Sequence, residues 1–186
     1  LMKLVSIAHL EGYYYRPRVD HELLREYGQG LIALSACLKG EVGSAILSDN
    51  LPEAEAVVRR YQDIFGPENF YLEIQPHDTA EQRLVNAAVI DLSKKTKAPL
   101  VATADSHYLA GDDAEAQDIL LCIQLKRQLN DQDRLRMTGQ DLSLKTVDQM
   151  AAAFPGQPEA LANTMRIADQ CDVEIPLGKV QLPHFD

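Results

Sequence analysis

The sequence predicts an α/β fold in which short parallel strands alternate with helices, followed by a helical extension. Three apolar stretches of strand length occupy residues 31–37, 69–75 and 99–105. Amphipathic helical patterns separate them, and this alternation is typical of a parallel sheet or barrel. After about residue 112 the helical patterns continue without strands between them. We therefore divide the chain into an α/β part, residues 1–111, and a helical extension, residues 112–186.

Helical patterns precede and separate the predicted strands. Apolar residues recur at helical spacing over residues 1–9, and Asp20 is a suitable N-cap for a short helix at 21–27. Pro52 in the first turn and Gly66 just past the end delimit the helix before the second strand. The predicted helices of the α/β part cover residues 1–9, 21–27, 41–49, 52–65 and 79–97.

The helical extension begins with residues 112–128, whose acids lie in the first turn and whose bases lie in the last. That charge order complements the helix dipole. A polar connector at 129–141 separates this helix from two further ones, at 146–154 and 158–171. The final residues read as an extended tail, and we expect the whole extension to run off the α/β body.

The formal net charge of −10 argues against nucleic-acid binding by the chain as a whole. Affinity for DNA rests largely on neutralising phosphates, so any such role needs a local basic patch, a metal ion or a partner. No apolar run approaches the ~18 residues of a membrane span, and no membrane partner is expected. Cys37, Cys122 and Cys171 lie far apart, which favours a reducing, cytoplasmic setting.

The third apolar stretch ends abruptly in an acid and an imidazole, Asp105 and His107. Residues i and i+2 of a strand point to the same side, and parallel sheets gather their chemistry at the carboxyl ends of strands. The two side chains could therefore bind a metal ion or act as an acid and a base. Alternatively, Asp105 caps a turn and His107 packs beneath Tyr108. Cys37 stands at the end of the first strand, either as a soft ligand or as a small buried side chain.

Other titratable residues are ambiguous. Glu73 faces away from its apolar neighbours in the second strand, and either lines the same edge of the sheet or belongs to a solvated face. His77 precedes Asp78, which makes a loop residue beside an N-cap the better interpretation. His9, His21 and His184 have no partner in the pattern, so we interpret them as surface residues.

The stretch "YYYRPR" places Tyr14, Arg16 and Arg18 close together. Aromatic faces and guanidinium groups suit single-stranded nucleic acid. The alternative, which the pattern alone favours, is a loop whose tyrosines pack on the body and whose arginines pair with acids. A second basic stretch, Arg127–Arg136, is the other candidate for contact with nucleic acid.

Several long stretches resemble the C-family of bacterial replicative DNA polymerases. They are "LMKLVSIAHLEGYYYRPRVDHELL", "GLIALSACLKGEV", "FYLEIQPHDTAEQRLVNAAVIDLS", "PLVATADSHYLAGDDAEAQDILLCIQ" and "QLPHF", in the family's order. The resemblance covers essentially the whole chain. It implies a partial polymerase-and-histidinol-phosphatase (PHP) type (β/α) barrel, with a helical extension that leads toward the polymerase palm.

The resemblance also implies a metal site. Cys37, Asp105 and His107 match ligand positions of the family, whose remaining ligands, including an early His-x-His pair, lie upstream of Leu1. The complete domain would hold divalent metal ions, Zn, Mn or Mg, whereas this chain alone carries the second part of the site and is not expected to hold them. No catalytic residue is assigned.

For the whole protein the resemblance implies DNA-directed DNA polymerase (nucleotidyltransferase) activity in DNA replication, with a 3′→5′ proofreading exonuclease in the PHP domain. Its partners would be DNA and other replisome subunits, including the sliding clamp and a separate proofreading exonuclease. Two alternatives stay open: an inert platform that docks a separate exonuclease, and a free-standing metal-dependent phosphatase. On every one of these readings we expect the chain alone to be inactive.

Overall fold

The computed structural model describes residues 1–137, 139–180 and 182, and those residues form a three-stranded sheet surrounded by helices. His184, which the sequence predicts to be a surface residue, and the end of the "QLPHF" stretch lie outside the described residues. In chain order the elements are α1 (Met2–Leu10), α2 (His21–Tyr27), β1 (Ala33–Leu34), α3 (Glu41–Leu47), α4 (Leu51–Phe65), β2 (Phe70–Ile74), α5 (Ala80–Thr96), β3 (Leu100–Ala102), a 3₁₀ turn (Gly111–Asp113), α6 (Ala114–Leu125), α7 (Val147–Ala153) and α8 (Pro158–Gln170). None of these helices is both long and apolar enough to span a bilayer.

The sheet has the order β1-β2-β3 and is parallel throughout, so the predicted α/β class is confirmed. Ala33 pairs with Phe70, and Leu72 pairs with Leu100. Because the strands are parallel, their carboxyl ends meet at one edge, which we call the carboxyl edge. The strands are shorter than predicted; β1 ends after two residues, and Ala36 then adopts a left-handed conformation (φ 62°).

The core lies between one face of the sheet and the helices α3, α4 and α5. Phe70, Leu72 and Ile74 alternate along β2 and are almost fully buried on this face. Side chains from the three helices complete the core, among them Val42, Ile46, Ala54, Val57, Val58, Val85, Val89 and Leu92. Apolar residues every second position in β2 and at helical spacing in α4 and α5 account for this packing.

Polar side chains fix where the helices begin. Asp20 accepts a hydrogen bond from the Leu23 N–H (2.9 Å), which confirms it as the N-cap of α2. Thr79 caps α5 in the same manner, by accepting from the Gln82 N–H (3.1 Å). Such caps satisfy backbone donors that have no partner inside the helix.

The helical extension folds back onto the α/β body, so the expectation that it runs off is wrong. Phe154 and Ala160 are buried in the same core as the sheet. The Asn163 side chain donates to the Leu100 carbonyl of β3 (2.7 Å). The extension carries apolar side chains that would otherwise face water, and β3 offers it an uncovered edge. The division of the chain at residue 112 stays a prediction.

The first turns of α2 and α3 are joined through a polar cluster. His21 Nε2 lies 3.4 Å from a Glu41 carboxylate oxygen, and the Tyr61 hydroxyl donates to the same oxygen (2.6 Å). His21 also packs edge-on against the Tyr61 ring. Thus His21 has a partner, which its sequence context did not indicate. Burial, followed by the hydrogen bond to Glu41, raises the pKa of Tyr61 to about 12.

Replacing a core leucine of β2 tests the packing. We expect Leu72→Ala to lower the free energy of unfolding by about 2–5 kcal/mol, because it leaves a cavity in a fully buried position. The matched control is Leu84→Ala on α5, where the side chain is 53% exposed and the cost should stay within about 0.5 kcal/mol. Urea unfolding followed by circular dichroism measures both; equal losses would contradict the assignment of this core.

The raised pKa of Tyr61 predicts a loss of stability in alkaline solution. Between pH about 10 and 12 the unfolded chain releases this proton while the folded chain keeps it, so stability falls as pH rises through that window. We expect Tyr61→Phe to show a smaller fall than the parent chain over the same window. Urea unfolding at stepped pH, with the exposed Tyr13→Phe as control, measures the difference; identical profiles would refute the assignment.

Candidate functional site

Three titratable side chains follow the three strands at the carboxyl edge. Cys37, His77 and Asp105 each stand three positions after the last residue of their strand. Their common offset places them in the first turn of each loop that leaves the sheet. This is the edge at which parallel α/β proteins bind ligands.

Asp105 and His107 lie in the loop after β3, which ends at Ala102, so strand alternation does not bring them together. Instead, the His107 Nδ1–H donates to the Asp105 main-chain carbonyl (2.8 Å). The Asp105 carboxylate is farther away, with its oxygen 3.8 Å from Nδ1. Because a carbonyl only accepts hydrogen bonds, this contact favours the Nδ1–H tautomer of the neutral ring, in which Nε2 carries the lone pair. Metal-binding histidines are oriented by the same kind of contact.

His77, which the sequence favours as a loop residue beside an N-cap, lies at the candidate site in the structure. Thr79, not Asp78, caps the following helix, and the Nε2 atom of His77 is buried with no hydrogen-bond partner among the described residues. Burial lowers the pKa of His77, which favours the neutral imidazole, while the negative charge of nearby Asp105 acts in the opposite direction. The signal that could have found it is the offset from the strand end that it shares with Cys37 and Asp105.

Cys37 is half-buried at the turn after β1, where its carbonyl accepts the Gly40 N–H (2.9 Å). A Cβ on Gly43 would come within 2.9 Å of the same carbonyl, so the turn packs tightly on the start of α3. Since β2 separates β1 from β3, Cys37 and Asp105 leave strands that are about 10 Å apart. Cys37 therefore shares the edge with the acid–imidazole pair but not an immediate contact.

Glu73 lies on the face of the sheet opposite the main core, where it joins the three strands. Its carboxylate accepts from the Thr103 hydroxyl (2.7 Å), and its N–H donates to the Ser35 hydroxyl (2.9 Å). The two bonds account for Glu73 as a half-buried structural residue beside the carboxyl edge. Its sequence had left open whether it belongs to this edge or to a solvated face.

A side-chain amide holds the end of β2 just before His77. The Gln75 N–H donates to the Asn86 side-chain oxygen (3.2 Å), and the Asn86 NH₂ group donates to the Gln75 carbonyl (2.8 Å). Gln82 in turn donates to Asn86 (2.9 Å). This clamp fixes the direction in which the chain leaves the strand and hence the placement of the His77 ring.

The helical extension covers the loop after β3. The His107 N–H donates to the Leu142 carbonyl, and the Leu144 N–H donates to the Tyr108 carbonyl (both 2.9 Å). Beside them Lys145 forms an ion pair with Asp141. Lys145 and Ser143 hold the pKa of that carboxyl well below its usual range. Residues 141–145 thus pair with the loop after β3 and place one ammonium group near the His77 imidazole.

The donor chemistry at this edge fits a divalent metal ion in part. An imidazole with a free Nε2, a half-exposed carboxylate and a buried imidazole nitrogen without a partner are all suitable donors. Within the residues that the structure describes, however, no three His, Cys, Asp or Glu side chains form a group that could hold a metal ion. Asp105 and His107 come together, and Cys37 does not join them.

A second feature, which we call the tyrosine–arginine loop (residues 12–19), joins α1 to α2. Tyr13, Tyr14 and Tyr15 are 61%, 63% and 80% exposed, so the expected packing of these rings on the body is wrong. The Arg18 guanidinium lies 5.4 Å from the centre of the Tyr14 ring. Arg16 and Arg18 form no ion pair with the acids that the structure describes, against the expectation that they would.

Comparison with known proteins gives a consistent family. The family model described as "PHP domain" matches residues 1–77. The chain is 43% identical to the DNA polymerase III subunit alpha of Treponema pallidum over 99% of its length, and 43% identical to that of Thermus aquaticus over its full length. The corresponding protein of Helicobacter pylori is 41% identical over 95% of the chain.

These matches also define how much of the relatives the chain represents. It spans 16% of the Treponema and Thermus proteins and 15% of the Helicobacter protein. The identity extends well beyond the residues that match the PHP domain, through the helical extension. The chain therefore belongs to the family of bacterial DNA polymerase III alpha subunits, as a segment that carries part of a PHP domain.

Proposed function

We propose that the protein to which this segment belongs is a DNA-directed DNA polymerase, a nucleotidyltransferase that acts in DNA replication. The observation that carries this proposal is 43% identity over 99% of the chain to a DNA polymerase III subunit alpha. The segment contributes part of a PHP domain and the structure that follows it. The polymerising carboxylates would lie elsewhere in the parent protein, so the chain alone is not expected to extend primers.

We further propose that the carboxyl edge is one half of a metal-dependent 3′→5′ proofreading exonuclease site in the complete domain. Asp105 and His107 would be ligands from this chain, and Cys37 would join them once the rest of the domain closes around the edge. The support is the His107 tautomer, because the Asp105 carbonyl holds Nδ1–H and leaves Nε2 free to bind.

Divalent ions such as Zn, Mn or Mg, when bound, would activate water and stabilise charge on the scissile phosphate. The residues of this chain would bind these ions and keep the ligand atoms oriented toward them. His107 would present Nε2 and the half-exposed Asp105 carboxylate its oxygens, and backbone hydrogen bonds to Leu142 and Leu144 hold the loop that carries them. Because this chain provides only part of the donor set, little or no exonuclease activity is expected from it alone.

DNA and other replisome subunits, including the sliding clamp and a separate proofreading exonuclease, are the partners that we propose for the parent protein. A cytoplasmic location fits three cysteines that are all free thiols. If the metal site of the parent is inactive, the same domain would serve as a platform for the separate exonuclease. If the protein were instead a metal-dependent phosphatase, small phosphate esters would bind at the same carboxyl edge.

An isosteric change of one ligand in the parent polymerase tests the exonuclease proposal. Asp105→Asn keeps the shape of the side chain but removes its charge, so we expect bound metal to fall and 3′→5′ degradation of single-stranded DNA to drop about 100-fold or more. Primer extension should stay within about twofold, because the polymerising site is separate. Bound metal is measured by mass spectrometry and both activities on labelled DNA, with the isolated chain as an additional sample.

Asp91→Asn on the exposed surface of α5 is the matched control and should leave metal content and both activities unchanged. Unchanged exonuclease activity in Asp105→Asn would leave the platform role as the better interpretation. Failure of the parent protein to extend primers would refute the polymerase assignment itself.

A further inference from the structure

We propose that the tyrosine–arginine loop is a binding site for single-stranded DNA that guides a strand toward the carboxyl edge. The inference rests on the proposed function, because it names the substrate class that the edge would receive. It is carried by four features of the loop: exposed rings, uncommitted guanidinium groups, a fixed backbone and its position.

The rings of the loop are available for stacking. Three consecutive tyrosines are more than half exposed, although aromatic side chains normally gain stability by burial. The Tyr14 and Tyr15 rings meet edge-to-face with centroids 4.6 Å apart, so each retains exposed ring surface. Bases of a single strand stack on such rings, whereas bases inside a duplex are already stacked on each other.

The guanidinium groups are uncommitted in a strongly acidic chain. The chain has 28 acidic residues against 18 basic ones, and five arginines outside the loop are paired with acids. Arg59, Arg60, Arg83, Arg134 and Arg166 each pair with a carboxylate. Arg16 and Arg18 do not pair with any acid that the structure describes. Two unpaired guanidinium groups beside stacking rings match the alternation of phosphate and base in a polynucleotide.

The backbone holds the loop in one shape. Tyr15 adopts a left-handed conformation (φ 58°), which is unfavourable for a bulky residue and turns the chain between Tyr14 and Arg16. The Tyr14 N–H donates to the Arg16 carbonyl across this turn (3.1 Å). Gly12 closes the base of the loop, because a Cβ there would lie 2.1 Å from the Arg18 carbonyl oxygen.

The connectivity of the loop leads toward the carboxyl edge. It leads directly into α2, whose first residue, His21, contacts Glu41 (3.4 Å). Glu41 begins α3, the helix that follows Cys37 and the carboxyl end of β1. The other end of α2 leads into the amino end of β1. A strand that stacks on the tyrosines would therefore have its next nucleotides near the carboxyl edge.

The rival basic stretch, Arg127–Arg136, is less available. The Arg134 side chain is only 4% exposed and forms two hydrogen bonds with the Asp118 carboxylate, both 2.6 Å. Arg136 donates to the Asp131 carbonyl (3.0 Å). Arg134 thus holds the connector against α6 and Arg136 is engaged within it, so fewer free charges remain in this stretch for phosphates.

Salt-dependent binding to a labelled thymidine oligonucleotide of about 12 nucleotides tests the proposal. The 186-residue chain is titrated from about 50 to about 200 mM salt, and fluorescence anisotropy reports binding. In Arg16→Ala/Arg18→Ala we expect weaker binding and a salt slope smaller by about 1.4, the value for two lost phosphate contacts. The control Arg25→Ala/Lys97→Ala removes two exposed charges near the amino ends of β1 and β3 and should keep the parent slope.

The rings are tested separately. Tyr14→Ala/Tyr15→Ala should weaken binding about fivefold or more, whereas Tyr14→Phe/Tyr15→Phe keeps the rings and should stay within about twofold of the parent. Circular dichroism confirms that each variant is folded, and the phenylalanine variant preserves the test if the alanine variant is not. Competition with a matched duplex and with inorganic polyphosphate distinguishes stacking from simple charge attraction.

Any one of four results overturns the proposal. The first two are an equal loss of affinity in the arginine and control variants, and no effect of removing the rings. The other two are competition by polyphosphate as strong as that by the single strand, and no binding by the parent chain. Each result is independent of the polymerase assignment. Primer extension by the parent protein with no loop-dependent binding would leave the proposed function standing and this inference wrong. Loop-dependent binding with no primer extension would support this inference and refute the proposed function.

Discussion

The burial of β2 between two parallel neighbours is the constraint on which the rest of the structure depends. Because Leu72 and Ile74 have no access to water, β2 must pair on both edges and be covered by helices. Parallel pairing then requires each strand to return through a helix, which sends every strand out at the same edge. The chemistry of Cys37, His77 and Asp105 is gathered there by topology rather than by contacts among those side chains.

Local patterns predicted the helices well, because caps such as Asp20 and Thr79 act within one turn of the residue that they cap. Strand lengths were overestimated, since pairing depends on neighbours that a local pattern does not contain. β1 illustrates this: seven residues have a suitable apolar pattern, but the strand ends at Leu34 and Ala36 adopts a left-handed conformation two residues later. The return of the helical extension to the core was missed for the same reason.

The candidate site likewise combines features that a local pattern can predict with features that depend on residues distant in sequence. The proximity of Asp105 and His107 was expected, although a hydrogen bond within the loop, and not strand alternation, brings them together. The surroundings of His77 were not predictable, because the charged groups near it, among them Asp105 and Lys145, are distant in sequence. The exposure of the tyrosines was also missed. The pattern "YYYRPR" cannot distinguish rings that pack inward from rings that a left-handed turn at Tyr15 directs outward.

Charge explains why substrate contact would be confined to a small area of this chain. With a net charge of −10, the chain as a whole repels a polynucleotide, and contact depends on local positive charge. The acids at the carboxyl edge would add to this repulsion unless metal ions neutralised them. A strand would thus be held first where Arg16 and Arg18 are free, and would reach Asp105 and His107 only when cations occupy that edge. If both proposals hold, this order would couple strand binding to metal binding through electrostatics.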